Sequence, residues 1–126
     1  FLVFYLVSGL VAIAAQTVVT LTLGTTIEAA VPTLGASGAV SGVLGAYLVM
    51  LPFARVLTLI FVVLIEVPAF LFLGFWFAFQ LWEGGFSIVQ PQAGGGVAFF
   101  AHIGGFAFGV LTVRLFTVRP PLRPRY

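Results

Sequence analysis

Apolar residues run along this chain in long blocks, and the few polar interruptions predict its elements. A helix that crosses a bilayer needs about 20 mostly apolar residues. Phe1 to about Leu23 meets that length, with only Ser8, Gln16 and a few threonines inside it. Gly24 to Leu34 carries Glu28 and Pro32 and reads as a loop. A second span runs from Gly35 to Leu51, closed by Pro52 and Arg55. The stretch from Arg55 to Trp82 is too long for one simple span and has Glu66 and Pro68 in its middle. It divides into an amphipathic or membrane-dipping connector, Val56–Val67, and a third span, Pro68–Trp82, with proline in the first helical turn, where its missing N–H is tolerated. Glu83–Gly95 is a glycine-rich loop, Val97–Val118 a fourth span, and Arg119–Tyr126 a tail that its prolines keep from being helical. No repeat or second domain is evident. The expected fold class is all-α, a polytopic transmembrane helix bundle occupying residues 1–126.

Composition agrees. The chain is 62% hydrophobic and 6% charged, with a mean hydropathy of +1.26. A soluble domain carries roughly 25% charged residues, so this chain could not cover itself with a polar surface. It has no cysteine, which excludes disulfides and thiolate chemistry, and no aspartate, asparagine or lysine. No basic segment precedes the first apolar run, so no signal peptide is read; a start at Phe1 reads as a piece of a longer protein.

The net charge of +2 comes from arginine and bears on topology rather than on nucleic acid. With four alternating spans, Arg55, Arg114, Arg119, Arg123 and Arg125 fall on one side of the membrane, and Glu28 and Glu83 on the other. Positive residues favour the cytoplasm, which places the C-terminus there and the heads of the second and fourth spans outside.

Those two heads carry the candidate chemistry. Ser37 lies in Gly35-Ala36-Ser37-Gly38, and the only histidine, His102, in Ala101-His102-Ile103-Gly104-Gly105. Counted from the span starts at 1.5 Å per residue, both lie roughly 4–9 Å below the outer helix ends. Gly38 and Gly42, with Gly45 a turn further, form a face of small residues, as do Gly105 and Gly109 beside His102. Small residues let membrane helices approach closely, so these faces can bring Ser37 and His102 together, although packing alone is a sufficient role for Gly42, Gly45 and Gly109. An ionisable residue inside a span is costly and marks function by default.

Elimination narrows the chemistry. One histidine without aspartate or cysteine cannot supply the ligands of a metalloprotease, and aspartyl cleavage needs two aspartates. A Gly-x-Ser-x-Gly elbow needs a strand–turn–helix setting and a glycine where Ala39 stands. A Ser–His dyad remains, histidine serving as general base and then as general acid. No carboxylate is placed to orient the histidine, since the glutamates lie in or beside loops.

The chain resembles the rhomboid intramembrane serine proteases. The likeness runs through Phe4–Leu10, Gly35–Tyr47 and Ala101–Phe106 and rests on GxSG and AHxxG in that order. It implies Ser37 as nucleophile, with its backbone N–H serving the oxyanion, His102 as base, and Gly35, Gly38 and Gly105 as motif glycines. It also implies that the four spans are the third to sixth of a six-helix core. The family's first two helices, with the HxxxN pair of the second, are absent, so the chain reads as a partial domain. A tyrosine that some members place one turn after the serine, stacked on the histidine, is Ser41 here.

By the same resemblance, Thr33 and Leu34 on one side and Gly96 and Val97 on the other would flank an extended substrate segment, and the aromatic third span (Phe70, Phe72, Phe75, Trp76, Phe77, Phe79) would be a lateral gate. The implied partners are single-pass transmembrane substrates and the lipid bilayer, without nucleic acid, metal or cofactor. Two other readings stand beside this one. A non-catalytic rhomboid-like protein would bind transmembrane clients, though such proteins tend to lose the serine or the histidine. A small transporter using His102 as a proton site would need broken helices and partner carboxylates at mid-membrane, which the sequence lacks.

Overall fold

The computed structural model describes residues 1–24, 36–90 and 98–117. Among the described residues, four helices and one β-hairpin occur in the order α1 (Leu2–Leu23), α2 (Ser37–Met50), β1 (Arg55–Ile60), β2 (Val63–Pro68), α3 (Ala69–Val89) and α4 (Phe99–Phe116). The chain is an integral membrane protein. Helices α1, α3 and α4, of 22, 21 and 18 residues, are long and apolar enough to cross a bilayer. Helix α2 has 14 residues, about 21 Å at 1.5 Å each, so the second span is shorter than the Gly35–Leu51 expected.

Helix direction alternates along the chain, as four successive spans require. Ala12 of α1 lies against Gly38, Ser8 against Gly42, and Phe4 shares a cluster with Ala46, so α1 runs antiparallel to α2. Gly105 meets Gly38 and Gly109 meets Gly42, so α4 runs parallel to α2. Helix α3 is antiparallel to α4, with Phe77 stacked on Phe106 at 4.5 Å and Gly84 beside Phe100 and Ile103.

The interior combines Phe4, Leu73, Phe99, Phe106 and Val113 with an unusual share of small residues. Ala12, Ala39, Ala46, Ala69 and Ala101 are buried, as are Ser8 and Ser41, while Leu6, Leu10, Phe75, Phe79, Leu111 and Leu115 face outward. The large apolar surface and the small buried residues depart from the usual soluble pattern. Lipid tails are as apolar as leucine, so association rests on close packing rather than on hiding large side chains. The α2–α4 seam shows why glycine is needed. A Cβ on Gly105 would collide with the Gly38 carbonyl oxygen, one on Gly109 with the Gly42 oxygen, and one on Gly45 with the Phe106 oxygen.

Two elements depart from the sequence expectation. The connector is a hairpin in which Arg55 pairs with Pro68 and Ile60 with Val63 around the two-residue turn Phe61-Val62. It is not amphipathic, because exposed apolar side chains occur on both of its faces. Its β-branched and aromatic content suits strands, and its root is tied by Ala69 N–H to Ala54 O (2.8 Å) and Phe70 N–H to Pro52 O (2.9 Å). Phe61 adopts φ 55°, a left-handed conformation that two-residue hairpin turns demand and that a bulky side chain resists. The third helix begins at Ala69, with Pro68 as its cap, and continues through Glu83, Gly84 and Gly85 to Val89. Glycines that read as a loop are held helical there, Gly84 by its fit against Phe100 and Ile103.

Candidate active site

Ser37 is the first residue of α2 and His102 stands one turn into α4. The glycine seam aligns these two helix starts, and His102 Nε2 lies 3.0 Å from Ser37 Oγ. Ser37 is exposed and His102 half-buried, so the pair is open to a reactant. Ser41, one turn on, donates from Oγ to the Ser37 carbonyl at 2.8 Å and does not reach the histidine. Because Ser37 opens its helix, its backbone N–H belongs to the first turn, whose donors have no acceptor within the helix and whose dipole favours negative charge.

Three further residues complete the surroundings: Gln80 and Gln16, for which the sequence suggested no site role, and Trp76, which it offered only as a gate aromatic. Gln80 of α3, 5% exposed, places Oε1 2.7 Å from His102 Nδ1. Trp76, one turn earlier on α3, holds its ring 5.9 Å from the imidazole, tilted by 38°. It supplies the aromatic neighbour that Ser41 cannot. Gln16 of α1 accepts from the Ala101 N–H through Oε1 at 3.2 Å, and its Nε2 donates to Thr20 Oγ1 at 3.2 Å, pinning the start of the histidine-bearing helix. One sequence signal could have found the glutamines. An amide inside an apolar span is expensive unless its hydrogen bonds are met, and Gln80 is the one amide side chain within α3.

Depth follows from the same contacts. Gln16 sits level with Ala101, and α1 continues seven residues beyond it, about 10 Å. Gln80 sits level with His102, and α3 continues nine residues to Val89, about 13 Å. The serine and histidine are thus sunk below the ends of both neighbouring helices.

Gly38 and Gly105 lie directly under the pair, where their lack of a Cβ permits the seam. Gly35, Thr33, Leu34, Gly96 and Val97 lie outside the described residues, as do Arg119, Arg123, Arg125 and Glu28. Of the gate aromatics, Phe70, Phe72, Phe75 and Phe79 are exposed, whereas Trp76 and Phe77 turn inward onto His102 and Phe106. Arg55 and Arg114 share the end of the bundle opposite the serine, Arg55 paired with Glu66 at 2.7 Å.

A family model described as Rhomboid domain matches residues 1–119. No curated protein sequence and no solved structure matches the chain.

Proposed function

The chain belongs to the rhomboid family, whose members are generally intramembrane serine proteases, and from that premise we propose that it is a serine endopeptidase cleaving transmembrane substrates through Ser37 and His102. The single observation that carries this reading is the 3.0 Å approach of His102 Nε2 to Ser37 Oγ, joining residues 65 apart in sequence. Such a distance permits direct proton transfer.

In the proposed reaction His102 Nε2 takes the Ser37 hydroxyl proton as Oγ attacks the scissile carbonyl carbon. The oxygen's developing charge meets the Ser37 backbone N–H at the head of α2. The imidazolium then passes its proton to the leaving nitrogen as the C–N bond breaks, giving an amine and a Ser37 ester. Water, deprotonated by the same nitrogen, releases the acid and restores the serine. Thr33, Leu34, Gly96 and Val97 are proposed to flank the substrate, and α3 to form the side from which a single-pass helix enters.

The test is cleavage of a single-pass membrane substrate in proteoliposomes. Ser37→Ala and His102→Ala should each abolish it. Cleavage that survives Ser37→Ala refutes the serine mechanism. An intact protein that binds the substrate and never cuts it favours the non-catalytic reading.

A further inference from the structure

We propose that Gln80 is a positioning residue that fixes the tautomer of His102, so that the Ser–His pair is held by a third residue rather than isolated; this rests on the catalytic reading of Ser37 and His102. Oε1 of a glutamine side chain can only accept a hydrogen bond. At 2.7 Å from Nδ1, it requires the imidazole proton to be on Nδ1. A neutral imidazole has one N–H, so Nε2 is left with its lone pair, and it is Nε2 that faces Ser37 Oγ. A base must present that lone pair to the serine. The opposite tautomer would present an N–H there and could accept no proton.

Imidazole without a partner at Nδ1 has no such bias, because the tautomer is set by the hydrogen bond that the other nitrogen makes. Gln80 is 5% exposed on α3, between the inward-facing Trp76 and Phe77 and the buried Gly84. A buried amide left unpaired is costly, so the contact with His102 is worth keeping to both partners. An amide also holds the ring without adding charge. The four arginines and glutamates on described residues (Arg55, Arg114, Glu66 and Glu83) make no hydrogen bond to the histidine among the described residues. Orientation therefore comes from a neutral group on the adjacent helix.

The experiment uses the single histidine of this chain. Histidine-selective 15N labelling reads the two ring nitrogens of His102 in lipid nanodiscs, and kcat and KM are measured on the same samples with a transmembrane substrate. In the wild-type protein Nδ1 should be protonated and Nε2 bare. Gln80→Met, near in size and unable to accept, should move the proton to Nε2 in a large share of molecules. It should lower kcat by about 10²-fold or more, as wrong-tautomer variants of serine proteases do, with KM within about twofold of wild type. Gln80→Glu restores the acceptor and should recover both the Nδ1–H signal and most of kcat. A wild-type histidine protonated on Nε2 overturns the proposal, and that arm needs no variant to fold. So does Gln80→Met with unchanged nitrogen signals. Ser37→Ala separates the two levels of inference. It should leave the tautomer intact and abolish cleavage; cleavage persisting there refutes the serine reading and not the Gln80 contact.

Discussion

In the proposed reaction Ser37 and His102 act through one shared proton, and that coupling shapes what substitution should do. Once either is lost the other has no partner for the transfer, so Ser37→Ala, His102→Ala and the double variant should reduce kcat/KM to the same floor. A double variant clearly worse than both singles would show that the two act independently. Trp76 calls for a smaller effect. An aromatic contact of about 1 kcal/mol corresponds to roughly fivefold in rate. Trp76→Ala should therefore lower kcat by about that factor, and Trp76→Phe should restore most of it. A Trp76→Ala enzyme as fast as wild type would mean that the ring merely fills space. These residues also mark the limit of reading the chain. Ser37 and His102 were legible because each sits in a motif at the head of a predicted span. Gln80 and Trp76 were not, since their roles exist only once α3 is laid against α4, and nothing in a spacing of 22 residues announces that contact.

Among the elements, the α2–α4 seam is the one whose chemistry is least forgiving. Carbonyl oxygens of Gly38 and Gly42 occupy the space that a side chain on Gly105 or Gly109 would need, and backbone cannot step aside as a flexible side chain can. Gly109→Val should destabilise the bundle by about 3 kcal/mol or more, the upper end of overpacking effects. Gly74 on α3 has nothing within 4 Å of the corresponding position, so Gly74→Val should leave stability nearly unchanged. Unfolding of the two variants in one detergent makes the comparison, and equal stabilities would contradict the seam. Its small residues were visible in sequence as i, i+4 glycines. The hairpin was not. Val56–Ile65 is a nearly continuous apolar run, and such a run does not distinguish a strand from a buried helical segment by periodicity. Its β-branched content was the remaining signal, outweighed by the helical character of everything around it. The glycines after Glu83 misled in the other direction, because Gly84 is kept helical by neighbours more than fifteen residues away in sequence.

At the scale of the whole molecule, alternation of four helices puts the starts of α2 and α4 at one end and Arg55 and Arg114 at the other. From the arginine bias in the sequence we propose that the second end is cytoplasmic. Reporter domains fused after Tyr126 should be active on the cytoplasmic side, and ones inserted after Gln90 on the opposite side. The reverse result would invert the direction from which substrate reaches Ser37.

The short second helix has a further consequence for where a substrate is cut. Helices α1 and α3, at about 33 and 31 Å, match the roughly 30 Å hydrocarbon layer, while α2 spans about 21 Å. The depth of Ser37 is thus the difference between a length fixed by the protein and a thickness fixed by the lipid. Hydrophobic mismatch acts on only one of those two lengths. In bilayers of shorter acyl chains the surface comes nearer to the serine, and the scissile bond should shift toward the end of the substrate on that side. Mass spectrometry of the products across a series of lipid lengths reads the shift directly, and a cleavage position that ignores lipid length would mean that sequence alone selects the bond. Under the proposed function, the protein would measure its substrate from the membrane surface, with α2 as the ruler.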